Sequence, residues 1–376
     1  MNAPVSLLYI ITGTGTGGAE KALLELACRI DRKRYRVAVC SLKRPGAYAD
    51  RLAASADEFY HLGLSEAAGL RAVFNFLPAL LRLIMVMRLV RPQIVHCFLF
   101  RASMLGRLAA CLYPGVITIA AVRVNEQSAG KYFCERLTRS MVSCYTAVTE
   151  EVRRAMIERA HVTPDKIYTI YNGIECAVDV SEPRVSAGME TRIALIGRLH
   201  RQKGHSVLLE AVKIILGSGK RVHLNLAGDG PDEGILRRQA RDLGIADVVT
   251  FAGVIDDVVA FMADIDIVVL PSLWEGMPNI LLEAMAALRP IVATRLAGIE
   301  ELVRDGESAL LCETGRADAL AEAIIRLMDD PELAGRLARI ARKDVQEHFD
   351  ILQTIARTQE LYEKLLSNRN TEQGSL

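Results

Sequence analysis

The chain has 376 residues, 51% apolar and 24% charged, with a net charge of +1. Its length exceeds one ordinary domain and suits two, each large enough to bury its own core, and its composition is that of a soluble globular protein. Its eight cysteines are scattered without a CxxC or zinc spacing, which speaks against a disulfide framework or a metal site and fits thiols in a reducing cytoplasm.

The first apolar run, Val5–Ile11, has no basic leader and passes straight into a glycine loop, so it reads as a buried strand and not as a signal peptide. Further short apolar runs at 37–42, 94–98, 116–122 and 145–148 alternate with helical patterns such as 20–30 and 102–112. That alternation predicts a parallel sheet covered on both faces. The loop Thr12-Gly-Thr-Gly-Thr-Gly-Gly-Ala-Glu20 lets backbone N–H groups approach a phosphate at a helix N-terminus. Gly13, Gly15 and Gly18 also satisfy GxGxxG, but Ser41-Leu42-Lys43-Arg44 stands where a dehydrogenase needs its ribose-binding acid. His96, at the end of the strand pattern 94–97, can reach a ligand at that edge or be a satisfied core histidine.

Charge is distributed unevenly. Through Asn172 there are 23 Lys and Arg against 13 Asp and Glu; beyond it the numbers are 23 against 32. No acid occurs between Glu66 and Glu126, where Arg71, Arg82, Arg88, Arg91, Arg101, Arg107 and Arg123 stand. Such a field favours an anionic partner. Few aromatics and no recognition motif speak against nucleic acid and leave an anionic membrane surface. Residues 70–91 are the candidate contact: a strongly apolar helical pattern with Arg82 in its middle and Pro78 interrupting it is ill suited to span a bilayer. It reads either as a basic amphipathic helix lying on lipid or as a core helix whose arginines reach water.

Asn172-Gly173 and the polar stretch 178–190 break the alternation and mark a domain boundary. The pattern restarts at Arg192, with strands at 193–197, 222–227, 248–251, 267–270 and 290–294, then helices at 317–328, 331–345 and 352–366, and a polar tail. After the first of these strands comes Gly197-Arg-Leu-His-Arg-Gln-Lys-Gly204, in which Arg198 and Lys203 can offset a diphosphate. Asp264-Ile265-Asp266 has the form of a divalent-metal motif, yet it runs into a buried strand and reads as a strand-entry feature. Trp274-Glu-Gly-Met-Pro-Asn-Ile-Leu-Leu-Glu283 leaves the strand 267–270 and enters a helix, placing Glu275 in a loop at a strand's carboxyl end and Glu283 a turn into the helix. Two carboxylates there suit the hydroxyls of a sugar or ribose.

In combination these residues resemble the family-4 retaining glycosyltransferases of GT-B fold. The resemblance rests on Gly17-Gly18-Ala19-Glu20, Asn172-Gly173-Ile174, Gly197-Arg198-Leu199 with Gln202-Lys203-Gly204, Gly228-Asp229-Gly230-Pro231, and Pro271-Ser272 followed by Glu275 and Glu283. It implies an α/β protein with two Rossmann-like domains facing across a cleft: an acceptor domain 1–172, a linker 173–190, a nucleotide-sugar domain 191–349, a helix 350–366 returning to the first domain, and a disordered tail 367–376. It implies transfer of a sugar from a UDP- or GDP-linked donor, with retention and no metal. Arg198 and Lys203 match pyrophosphate ligands, Glu275 the carboxylate beside the transferred sugar, and His96 a histidine that contacts it. Gly17, Gly18, Val254, Gly276, Met277, Pro278, Asn279 and Glu283 complete the donor site. The basic first half points to a lipid-linked glycan acceptor in cell-surface polysaccharide assembly, and to a cytoplasmic protein peripheral to the membrane. A synthase acting on a soluble sugar, a nucleotide-sugar epimerase and a non-catalytic nucleotide-sugar sensor are the alternatives.

Overall fold

The structure, a computed structural model, describes residues 3–64, 70–113, 115–124, 128–176 and 190–374, and for 70–75 and 370–374 the backbone alone. Met1–Asn172 with Ile351–Leu376 form one compact unit and Gly173–Asp350 the other.

The first unit is built on seven strands: β1 (Val5–Ile11), β2 (Tyr35–Lys43), β3 (Glu58–Leu64), β4 (Ile94–Phe98), β5 (Ile117–Val122), β6 (Cys144–Ala147) and β7 (Ile167–Thr169). All pair in parallel, in the order β3-β2-β1-β4-β5-β6-β7. The central strands are the continuous apolar runs that a sheet buried on both faces demands, and every residue of β4 is buried. On one face Leu23 and Leu24 of helix Gly18–Arg29 and Ile355 and Tyr362 of helix Ile351–Gly374 pack with Tyr9 and Ile11. On the other, Leu83 and Met87 of helix Leu70–Val90 and Leu105 of helix Phe100–Cys111 pack with Leu8 and Ile10.

Two expectations change here. Helix Ile351–Gly374 continues past Leu366 through most of the stretch expected to be a disordered tail. Its first glycine or proline is Gly374, so nothing before that point forces it to stop. Helix Leu70–Val90 is not interrupted at Pro78, which faces solvent inside it. Among the described residues no helix is long and apolar enough to cross a membrane.

The second unit holds β8 (Thr191–Ile196), β9 (Val222–Ala227), β10 (Val249–Gly253), β11 (Ile267–Leu270), β12 (Ile291–Thr294) and β13 (Leu310–Cys312), again all parallel, in the order β10-β9-β8-β11-β12-β13. Asp266 accepts a hydrogen bond from the Arg192 amide at 2.7 Å, which ties the entrance of β11 to β8 and accounts for one aspartate of the Asp264-Ile265-Asp266 run. Of the linker expected at 173–190, residues 177–189 lie outside the described residues; Ile174 just before them donates its amide to Phe349 O at 2.9 Å.

Candidate active site

In the second unit the strand order reverses between β8 and β11: the chain goes from β8 to β9 on one side and from β11 to β12 on the other. The loops that leave their carboxyl ends therefore diverge and open a crevice, the place where such sheets hold ligands. Here the two loops are also stitched together. Leu273 N donates to Gln202 O at 2.7 Å, and Gln202 Nε2 donates to Trp274 O at 2.9 Å. Gly204 makes the approach possible. Its φ is +70°, and a Cβ built there would lie 1.9 Å from Pro271 O.

The interlock sets Lys203 against Glu275. Lys203 Nζ pairs with Glu275 Oε1, which also accepts from Ser272 Oγ at 2.8 Å, while Gln202 Nε2 approaches Oε2 at 3.5 Å. Ser272 is itself fixed, because Thr294 Oγ1 donates to its carbonyl at 2.6 Å. Glu275 is 8% exposed, so this carboxylate is oriented by three side chains and not by bulk water. Arg198, one loop position beyond Gly197, is exposed and has no hydrogen-bond or ion-pair partner among the described residues. Lys203 spends its charge on Glu275, and Arg198 is a guanidinium open to an arriving anion.

The other donor residues expected in this unit lie on the same edge of the same sheet. Gly276, Met277 and Pro278 are buried in the loop after β11, Asn279 opens helix Asn279–Ala286, and Glu283 sits in its second turn, 8% exposed. Val254 follows β10 and is exposed, and Gly228 N donates to Gly253 O at 2.6 Å just before it. Of the residues predicted in this unit, the structure thus joins Lys203 to Glu275 directly and sets the rest on neighbouring strand ends.

Gly17, Gly18 and His96 belong to the first unit. Gly17 and Gly18 are exposed where helix Gly18–Arg29 begins. His96 is the middle residue of β4, not at its end, and its ring is buried against Tyr9, Phe98 and Tyr362. Its Nδ1 lies 2.7 Å from Tyr362 Oη, and Nε2 is buried with no hydrogen-bond partner among the described residues. Burial, reinforced by the positive charge of Arg123, pushes its pKa down to about 3, so the ring is neutral. Any ligand role falls to Nε2.

Sequence reasoning quoted Gln202 and Ser272 only as parts of motifs and missed Thr294. Their function lies in which oxygen they hold, and that depends on register between strands far apart in the chain.

The chain was compared with known proteins. Residues 16–178 match the family model described as Glycosyltransferase Family 4, and residues 190–330 match the one described as Glycosyl transferases group 1. The chain is 34% identical over 185 residues to the lipopolysaccharide core biosynthesis glycosyltransferase LpsE of Rhizobium meliloti, covering 49% of this chain and 53% of that one. It is 24% identical over 319 residues to the capsular polysaccharide biosynthesis glycosyltransferase CapM of Staphylococcus aureus, covering 80% and 82%. With LpsE and two further curated relatives, the matched part is between 53% and 62% of the relative's length. Among solved structures, Anabaena Alr3699/HepE in complex with UDP and glucose superposes with a TM-score of 0.83 at 20% identity, over 96% of this chain and 99% of that one. Two family models in register with two Rossmann-like units leave one assignment: the chain belongs to glycosyltransferase family 4 and has the GT-B fold.

Proposed function

We propose that the chain is a glycosyltransferase that moves a sugar from a UDP- or GDP-linked donor to a hydroxyl of a lipid-linked glycan acceptor in cell-surface polysaccharide biosynthesis, with retention and without a metal. The observation that carries this reading is the Lys203–Glu275 junction at the switch point of the second sheet. It puts a cation suited to a diphosphate beside a carboxylate suited to a sugar. LpsE and CapM, named for lipopolysaccharide core and capsular polysaccharide biosynthesis, support the polysaccharide setting.

The chemistry follows from charge. Cleavage between the anomeric carbon and phosphate leaves an oxocarbenium-like sugar and a diphosphate, and stabilising the leaving oxygens lowers the barrier most directly. Arg198 and Lys203 supply that stabilisation, and Glu283 the ribose contact. Glu275, held by Ser272 and Gln202, faces the positive charge that develops on the sugar. The incoming hydroxyl attacks the same face, and the departing phosphate oxygen takes its proton.

Two measurements test this. UDP or GDP at a hundred times its dissociation constant adds about 2.7 kcal/mol to stability and raises the melting temperature. Glu275→Gln, which keeps the shape of the group, binds the nucleotide as the wild type does but turns over the donor about 10²–10³-fold more slowly. Wild-type turnover in folded Glu275→Gln, or no response to either nucleotide, would falsify the reading.

The membrane contact has its own support. Leu77, Leu81, Met85 and Leu89 are exposed at four-residue intervals along helix Leu70–Val90, and Arg88 and Arg91 are exposed at its end. Apolar side chains beside cations on one surface, in a stretch without acids, fit an anionic lipid headgroup layer, each Arg adding about 1 kcal/mol. The full chain is expected to sediment with vesicles containing anionic lipid at low salt and not with zwitterionic ones. The double variant Leu81→Glu, Leu89→Glu alters exposed positions alone and is expected to bind at least tenfold more weakly. Equal sedimentation of both proteins removes the contact.

A further inference from the structure

Tyr362, on helix Ile351–Gly374, is fully buried in a cluster with Leu23, Ile355 and Leu361. A phenylalanine would fill the same place, and a hydroxyl taken out of water there is unfavourable unless a polar group meets it. One does. Tyr362 Oη lies 2.7 Å from Nδ1 of His96 on β4, 266 residues away in the chain. Packing holds the rings in place: Tyr362 stands edge-on to His96 and to Tyr35, at centroid separations of 5.8 and 5.9 Å, and Phe98 lies 4.6 Å from His96.

A neutral imidazole carries one proton, on Nδ1 or on Nε2. The contact at Nδ1 decides between them. A separation of 2.7 Å is the commonest one for a hydroxyl donor and the short limit for an N–H donor. The other acceptor near the Tyr362 proton, Tyr9 Oη, is 3.4 Å away and beyond the usual hydroxyl range. Tyr362 therefore donates to Nδ1, and the ring proton sits on Nε2. There it is buried without a hydrogen-bond partner among the described residues. A donor left unmet inside the protein costs stability, and as the one open position of an otherwise closed contact it points to an acceptor brought by a ligand.

We infer that Tyr362 is a positioning residue: its hydroxyl holds His96 as the Nε2–H tautomer, so that the ring presents a donor, and not a lone pair, to a sugar hydroxyl oxygen. This rests on the reading of the chain as a transferase with His96 against a sugar, and adds what fixes that ring and which atoms it recognises.

Two experiments on the full chain test it. In the first, isotope-labelled histidine and long-range proton–nitrogen correlation NMR read the tautomer of each of the seven rings, and the signals missing from His96→Gln are those of His96. The wild type is expected to show the proton on Nε2. Tyr362→Phe, which removes the hydroxyl alone, is expected to mix in the Nδ1–H form, and Tyr9→Phe to leave the tautomer as it is. In the second, release of nucleoside diphosphate is followed with UDP-glucose and with GDP-mannose. Tyr362→Phe is expected to lower kcat/KM about tenfold by itself and less than about twofold on the His96→Gln background, because an amide has no tautomer to set. A hydroxyl that served packing alone would cost the same factor in both backgrounds, and that result overturns the inference. So does a wild-type ring protonated at Nδ1, which decides the matter even if Tyr362→Phe folds poorly, and so does a folded Tyr362→Phe that keeps the wild-type tautomer. A wild type that releases diphosphate from neither sugar nucleotide strikes at the transferase reading, while the NMR experiment still decides what Tyr362 does to the ring.

Discussion

Lys203→Met is expected to slow donor turnover by about 10²–10³-fold, the usual loss when one group that stabilises a developing anion is removed. The same change also breaks a partly buried ion pair, and the two effects need separating. The Lys203 side chain is 20% exposed and that of Glu275 7%, so the pair is neither a surface contact nor a dry one. Removing one partner of a fully buried pair costs about 3–5 kcal/mol; here Ser272 and Gln202 stay on the carboxylate, and about 1–3 kcal/mol is the reasonable range. In a unit of this size that lowers the melting temperature by roughly 2–4 °C per kcal/mol. Turnover measured well below that transition reads the chemical effect alone. Lys203→Arg is the discriminating partner. It restores most of the melting temperature, because a cation again faces Glu275, but its longer planar head is displaced and turnover recovers only in part. If Lys203→Met, folded and saturated with donor, retains turnover within tenfold of wild type, then Lys203 serves the fold and the leaving group is stabilised elsewhere.

How far the sequence disclosed this arrangement depends on burial. The central strands β1, β4 and β11 announce themselves because a parallel strand covered on both faces must be apolar nearly throughout. The strands at or near the sheet edges do not. β3 carries Glu58 and His61 and is mostly half exposed, while β7 and β13 have three residues each, so none presents an apolar run to read. The same division holds at the site. The loop residues Arg198, Lys203, Glu275 and Glu283 are legible because backbone chemistry and charge put them at strand ends in any register. Ser272 and Thr294 are not, since a hydroxyl's partner is decided by the pairing of β11 with β12. Arg123 reads as one arginine among seven until the fold brings it to Asn172, 49 residues away. His96 fails in the opposite sense: its place in the chain was clear, but it stands two residues before the end of β4, inside the sheet.

Gly204→Ala is expected to cost about 2–5 kcal/mol, the larger part of it from the interlock of the two loops rather than from the backbone conformation itself. A non-glycine residue at φ near +70° costs about 1–2 kcal/mol wherever it occurs. At Gly204 the new methyl also meets Pro271 O at 1.9 Å, a backbone atom at the exit of β11 that moves only if the whole loop carrying Glu275 moves. Overpacking of that kind adds about 1–3 kcal/mol. Gly219 isolates the first contribution, for its φ is +82° and a Cβ there has nothing within 4 Å. Chemical denaturation of both variants therefore gives the difference directly: Gly219→Ala loses about 1–2 kcal/mol and Gly204→Ala clearly more. The second consequence is functional. Because Lys203 precedes Gly204 and Glu275 follows Pro271 by four positions, the displacement that relieves the clash draws the two charges apart, and Gly204→Ala loses turnover at temperatures where it is still folded. Equal stability losses in the two variants mean that the loops part readily in solution, and the Lys203–Glu275 junction is then a contact of one conformation and not a fixed feature of the unit.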